Sequence, residues 1–108
     1  MRADKRERLE AAGWRVGSAE EFLGLSPQEA DYVQVKLALS LALRERRLQS
    51  ELTQADLARL VQSSQSRIAK MEAGDPGVSV DLLMKSLLAL GASPRDLARA
   101  IDSVPRRD

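Results

Sequence analysis

The sequence predicts an all-α protein, and three features of the chain support this fold class. Among 108 residues, Leu occurs 17 times and Ala 15 times, and both residue types favour helices. Val, Ile and Thr together number 10 and aromatic residues only three, so the residue types that favour strands are scarce. The third feature is a series of clear helix starts and stops.

Helix starts are marked by a Ser or Thr with an acidic residue three positions later. With this spacing, each side chain can accept a hydrogen bond from the other residue's backbone N–H. The pattern occurs at Ser18/Glu21, Ser26/Glu29, Thr53/Asp56 and Ser93/Asp96. Proline follows two of these serines, at Pro27 and Pro94, where its missing N–H costs nothing. Glycine, which readily adopts the left-handed conformation of a C-cap, marks the predicted ends at Gly13, Gly24, Gly74 and Gly91.

These signals predict six or seven helices in one domain that follows an N-terminal arm. The arm, residues 1–26, contains a charged segment at 3–12 that can form a helix, an extended candidate at 14–16 and a short helix at 19–23. The main domain, residues 27–104, is predicted to contain helices at 27–49, 54–61, 65–73, 80–90 and 94–102. Residues 105–108 form a short tail.

The long helix at 27–49 carries apolar residues on two opposite sides. From Val33 to Leu43, every second residue is a large apolar one, and this alternation is typical of a β-strand. The run is too long and too rich in Leu and Ala for a strand, so we predict a helix. On a helix, one stripe contains Val33, Leu37 and Leu41, and the opposite stripe contains Val35, Leu39 and Leu43. One stripe is expected to cover the C-terminal helices. The other requires a second cover, either Trp14, Phe22, Leu23 and Leu25 from the arm or a second subunit.

The composition excludes several kinds of chemistry. There is no Cys and no His, which rules out disulfides, thiolate metal sites and Ser-His-Asp catalysis. No metal-ligand cluster, Gly-rich phosphate loop or pair of carboxylates with a pocket is apparent, so we expect neither an enzyme nor a cofactor. No apolar run approaches the roughly 20 residues of a membrane span, and the N-terminus lacks the apolar core of a signal peptide. We expect a soluble cytoplasmic protein.

The charge distribution favours the middle of the chain as a functional surface. The net charge is only +1, but residues 36–70 carry seven basic and three acidic residues. Within this region, residues 52–74 (LTQADLARLVQSSQSRIAKMEAG) read as a capped helix, a turn of three residues and a second capped helix. Apolar residues predicted to face inward are Leu57, Val61, Ile68 and Met71. The second helix is then expected to expose Gln65, Ser66, Ala69 and Lys70 near its N-terminus.

Those exposed side chains suit contact with DNA. Gln can bond to adenine with two hydrogen bonds, and Lys and Arg can bond to guanine or phosphate. An α-helix fits the major groove, where the N-terminal residues of a recognition helix meet the base edges. The alternative interpretation of the same residues is an ordinary solvated helix face.

The segments LTQADLARLV and SQSRIAKMEAGD together resemble the helix-turn-helix of the XRE family, the class of phage Cro and repressor proteins. The resemblance covers about residues 37–91 and implies a five-helix, lambda-repressor-like DNA-binding domain. It also implies a homodimer on a palindromic double-stranded DNA operator, and therefore a transcriptional regulator. In this family the turn commonly carries Gly where this chain has Gln62.

The resemblance and the charges together assign roles to individual residues. Base contacts are expected from Gln65, Ser66 and Lys70. Phosphate contacts are expected from Thr53, Gln54, Arg59, Ser64 and Arg67, with helix N-termini adding backbone donors. Arg47 and Glu72 match a structural pair that ties the first helix of the domain to the recognition helix.

An alternative function is that of an antitoxin. The segment GWRVGSAEEFLGLS ahead of a long helix resembles some small XRE proteins, including antitoxins of the HigA type. Such a protein binds a toxin and regulates its own operon. The acidic block at 18–31 and the surplus apolar stripe would suit a basic toxin partner.

Overall fold

The computed structural model describes residues 24–105, and these residues form five helices and no strand. The helices are α1 (Pro27–Gln49), α2 (Gln54–Leu60), α3 (Gln65–Glu72), α4 (Val80–Ala89) and α5 (Pro94–Asp102). The predicted all-α class and all five helices of the main domain are confirmed. The predictions for residues 1–23, including both arm helices and the Ser18/Glu21 start, lie outside the described residues, as does most of the tail.

The described residues belong to two compact units, residues 24–34 with Pro105 and residues 35–104. In the first unit, the N–H of Ser26 donates to Glu29 Oε1 at 2.9 Å, and the N–H of Glu29 donates to Ser26 Oγ at 3.1 Å. This capping box starts α1 as predicted. The second unit contains most of α1 and all of α2–α5. The predicted boundary between residues 26 and 27 stays a prediction.

The remaining helices begin at side-chain caps. Thr53 and Ser93 form the predicted capping boxes with Asp56 and Asp96, at the starts of α2 and α5. The other two helices have serine caps without the reciprocal bond: Ser64 Oγ accepts from the N–H of Arg67, and Ser79 Oγ accepts from the N–H of Leu82. Each cap satisfies one of the backbone donors that a helix start leaves free.

Helices α1 to α4 all end in the same left-handed conformation. The residue with positive φ is Glu51 (59°), Gln62 (56°), Gly74 (75°) or Gly91 (93°). In each case the next N–H bonds back to a carbonyl in the last helical turn, as in a Schellman motif. The C-caps of α2, α3 and α4 are Val61, Ala73 and Leu90. Each of these helices therefore ends one residue earlier than predicted.

The core of the second unit lies where α1 to α4 meet. Its fully buried apolar side chains are Leu39, Leu43, Leu57, Ile68, Met71, Leu83 and Leu87. One predicted stripe of α1, with Leu39 and Leu43, therefore does cover the other helices. Leu37 and Leu41 of the opposite stripe are exposed. In the described part of the chain, no helix is both long and apolar enough to cross a membrane.

Candidate nucleic-acid interface

Helices α2 and α3 pack against each other across a short turn. Leu57 and the small Ala58 are buried on the inner side of α2, where a bulky residue would keep the helices apart. The turn is fixed by a hydrogen bond of 2.8 Å from the N–H of Ser63 to the carbonyl of Ala58. Gln62 lies in this turn, and its backbone is left-handed. The family that this motif resembles commonly has glycine at the same position. The predicted helix-turn-helix geometry is thus present.

Helix α3 has one buried side and one polar, exposed side. Ile68 and Met71 are 0% exposed and belong to the core. Residues Gln65, Ser66, Arg67 and Lys70 are all exposed. Gln65, Ser66 and Arg67 form the first turn of α3, and Lys70 lies one turn after Ser66. The structure therefore brings the three predicted base-contacting residues together on one accessible surface.

Two of the predicted phosphate-contacting residues are helix caps. Thr53 Oγ1 accepts from the N–H of Asp56 at 3.0 Å, and Ser64 Oγ accepts from the N–H of Arg67 at 3.1 Å. Both residues are exposed. Because a hydroxyl is a donor as well as an acceptor, each can still donate its own proton to an anion while it caps its helix.

The basic side chains of this surface differ in how they are engaged. Arg59 forms an ion pair with Asp56, one turn earlier on α2. Backbone and side-chain hydrogen bonds from Thr53, with the charge of Arg59 as a smaller cause, lower the pKa of Asp56 below its ordinary value. Arg67 and Lys70 have no ion pair among residues 24–105 and remain available for a phosphate or a base edge.

Glu72, at the end of α3, binds two other helices of the second unit. Arg47 on α1 contacts its carboxylate through Nε at 2.6 Å and Nη2 at 2.9 Å, and hydrogen bonding to Glu72 raises the pKa of Arg47 above its ordinary value. Gln54, the first residue of α2, donates from Nε2 to Glu72 Oε1 at 3.2 Å. The expected Arg47–Glu72 pair is present, whereas the bond to Gln54 was not anticipated. It orients the amide of Gln54 and leaves one amide proton and the carbonyl for a ligand.

The loop after α3 adds residues that the sequence did not identify as part of this surface. Asp75 and Gly77 line a shallow concavity together with Ser64, Ser66, Arg67 and Lys70. Asp75 Oδ1 accepts from the N–H of Gly77 at 2.7 Å, which holds the loop in a turn. Lys36 on α1 donates to the carbonyl of Pro76 at 3.0 Å. The Asp-Pro-Gly sequence is typical of a turn, but no sequence pattern indicated that this turn lies beside the exposed side of α3.

Two helices joined by a tight turn, with a polar surface on the second helix, define the helix-turn-helix class of DNA-binding proteins. A family model described as "Helix-turn-helix" matches residues 43–104, more than half of the chain. The chain belongs to the XRE family of helix-turn-helix proteins and is a DNA-binding transcription regulator. No match to this chain was found among curated proteins or among solved structures.

Proposed function

We propose that the protein binds a specific double-stranded DNA sequence by placing α3 in the major groove. The observation that carries this proposal is the division of α3 into two sides. Ile68 and Met71 fix the helix to the core, while Gln65, Ser66 and Lys70 stay exposed on its other side. A helix held in this way can present its side chains to base edges without losing its own packing.

Each residue of this surface has a base that suits its chemistry. Gln65 can donate to N7 and accept from N6 of adenine. Lys70 can donate to O6 or N7 of guanine, and the hydroxyl of Ser66 can bond to several bases. A good bidentate contact contributes about 1–3 kcal/mol of discrimination against the wrong base. We assign sequence preference chiefly to Gln65 and Lys70.

Affinity comes mainly from phosphate contacts. Arg67 at the start of α3 and Arg59 on α2 supply positive charge, with that of Arg59 reduced by its pairing with Asp56. The hydroxyls of Thr53 and Ser64 and the amide of Gln54 supply neutral donors. The first N–H groups of α2 and α3 add donors of the kind that commonly bind phosphate.

The operator is proposed to be a palindrome read by a homodimer. One recognition helix reads few base pairs, and a twofold axis doubles the site. The half-sites would then lie about one turn of DNA, roughly 34 Å, apart. This regulator is proposed to act in the cytoplasm, with residues 27–104 as the DNA-binding domain and residues 1–26 as an arm.

The proposal is tested by selection of bound sequences from a random DNA pool at near-physiological salt. We expect a palindromic consensus for the wild-type chain and, for Gln65→Ala, loss of preference at one position in each half-site. A matched control is Gln28→Ala, an exposed glutamine in the first turn of α1. If the wild-type chain enriches no sequence, base recognition by α3 is wrong.

A second candidate function is that of an antitoxin. The observation that favours it is the exposure of Leu37 and Leu41, because exposed apolar side chains in a row commonly mark a protein interface. The test is co-expression with the product of a small basic reading frame next to this gene. A stable complex of the two proteins would support the antitoxin function.

A further inference from the structure

One carboxylate lies on the surface that is proposed to meet DNA. Asp75, in the loop after α3, lines a concavity of about 240 Å³ together with Ser66, Arg67 and Lys70. Surfaces that bind DNA are strongly positive, and a carboxylate beside a phosphate is repelled. An acidic side chain in this position therefore suits a partner other than phosphate.

The loop that carries Asp75 is fixed on several sides. The N–H of Asp75 donates to the carbonyl of Lys70 at 3.1 Å, and the carbonyl of Asp75 accepts from the N–H of Val78 at 3.1 Å. Lys36 on α1 holds the next residue, since it donates to the carbonyl of Pro76 at 3.0 Å. A group that the surrounding structure already holds in place loses little conformational freedom when it binds a ligand.

The two carboxylate oxygens of Asp75 are engaged differently. Oδ1 accepts from the N–H of Gly77 at 2.7 Å and closes the turn. Oδ2 has no hydrogen bond among residues 24–105, and in the same residues Asp75 forms no ion pair with Arg67 or Lys70. The side chain therefore keeps one acceptor oxygen for a ligand.

We propose that Asp75 is a further specificity-determining residue, and that its Oδ2 accepts a hydrogen bond from the N4 amino group of a cytosine in the major groove. This inference rests on the proposed reading of base edges by α3 and adds the loop after α3 to that reading. Lys70, whose carbonyl accepts from the N–H of Asp75, is the residue assigned to guanine. The two side chains together supply the donor and the acceptor that match a G·C pair.

The chemistry of the major groove selects cytosine among the four bases. Cytosine presents the N4 amino donor and no acceptor, which matches a carboxylate that can only accept. Adenine presents the acceptor N7 next to its N6 donor, and N7 repels a carboxylate. Guanine presents the acceptors N7 and O6, and thymine presents the acceptor O4 and a methyl group.

Asp75→Asn changes the chemistry of the free atom and keeps the turn. Asparagine forms the same turn as aspartate, so its carbonyl oxygen can keep the bond to the N–H of Gly77. The amide NH₂ group then stands where Oδ2 stood and donates instead of accepting. The variant should therefore prefer a base with an acceptor, guanine or thymine, where the wild type prefers cytosine.

The test is selection of bound sequences from a random DNA pool at near-physiological salt, with the wild type, Asp75→Asn and Asp102→Asn. The last is the matched control, because it removes the same charge from an exposed residue at the end of α5. We expect cytosine at one position of each half-site for the wild type and the control. For Asp75→Asn we expect guanine or thymine there and an unchanged consensus elsewhere.

Titrations on two operators separate base recognition from general electrostatics. One operator is the wild-type consensus, and the other carries the base that Asp75→Asn selects. The ratio of the two affinities should differ by at least about tenfold between the wild type and Asp75→Asn. If Asp75→Asn binds both operators more tightly by the same factor, the carboxylate only repels phosphates and the inference is overturned.

The outcomes also separate this inference from the proposed function. A wild-type consensus that Asp75→Asn leaves unchanged overturns the role of Asp75 and leaves base recognition by α3 intact. A wild-type chain that enriches no sequence contradicts base recognition by α3, and the role of Asp75 with it.

Discussion

Arg47 on α1 holds Glu72, the last residue of α3, through two hydrogen bonds of 2.6 and 2.9 Å. The two side chains are only 9% and 3% exposed. Arg47 also donates from Nη1 to the carbonyl of Leu52 at 2.8 Å, so its guanidinium joins α1, the loop before α2 and α3. This paired geometry is characteristic of Arg, since Lys cannot form a planar fork.

Removing one partner of this pair should strongly destabilise the domain. In Glu72→Ala the guanidinium of Arg47 stays buried without its carboxylate, which typically costs about 3–5 kcal/mol. We expect a clear decrease in the free energy of unfolding, measured in urea, and little change in which DNA sequence the folded protein prefers. Replacing both partners, as in Arg47→Met with Glu72→Leu, should recover much of the loss. An unchanged urea midpoint for Glu72→Ala would mean that the pair contributes little.

The left-handed backbone at Gln62 predicts a stabilising substitution. Its φ of 56° is unfavourable for a side chain with a Cβ, whereas glycine adopts it readily. Gln62→Gly should raise the free energy of unfolding by up to about 1 kcal/mol, and Gln62→Ala should not raise it. Thermal unfolding of the three proteins provides the measurement. If Gln62→Ala raises the free energy of unfolding as much as Gln62→Gly does, the gain in stability arises from the loss of the glutamine side chain and not from relief of the backbone conformation.

Most of the fold was predictable because residues close together in the sequence determine where its helices begin and end. Serine and threonine caps, such as Thr53 and Ser93, require only a partner three residues away, so one short segment contains the whole signal. Glu51 shows where this approach fails. It adopts the same left-handed conformation as Gly74, but a glutamate carries no local signal for it. The hydrogen bonds that close α1 determine its conformation instead.

The site was predictable in part, for a similar reason. Exposure of Ser66 and Lys70 follows from the burial of Ile68 and Met71, because the helical period places the two pairs on opposite sides of α3. The contact between Gln54 and Glu72, and that of Asp75 with the same surface, link residues from different elements. The angle at which the helices pack decides such contacts, and no local pattern encodes that angle.

Arg67 should contribute to affinity more than to sequence preference. If its guanidinium contacts a phosphate, DNA binding by Arg67→Ala releases one counterion fewer for each protomer. The slope of log affinity against log salt should then fall by about 1 for each protomer, with the selected sequence unchanged. Titrations at several salt concentrations measure this slope. Arg95→Ala, an exposed arginine in the first turn of α5, is the control and should leave the slope as it is. A changed consensus for Arg67→Ala would assign this residue to a base instead.

The carboxylate of Asp96 connects α5 to α1 and predicts a specific loss of stability in acid. The backbone N–H of Ser93 donates to Asp96 Oδ2 at 2.8 Å, Arg46 contacts the same oxygen at 3.1 Å, and Arg99 binds Oδ1. The hydrogen bond from the Ser93 backbone, followed by that from Arg99, lowers the pKa of Asp96 from 3.8 to about 2. Folding therefore favours the charged form of this side chain.

The sign of the pH effect follows from that lowered pKa. The unfolded chain takes up the proton first as the pH falls through 3.8, so the stability that the charged Asp96 contributes is complete above that value. It decreases as the pH approaches about 2, where the folded protein is protonated as well. Asp96→Asn lacks the charge at every pH, and its melting temperature should lie below that of the wild type at neutral pH. The difference between the two melting temperatures should then shrink between about pH 4 and pH 2. A difference in melting temperature that stays constant down to the lowest pH would show that the introduced amide, and not the missing charge, causes the loss of stability.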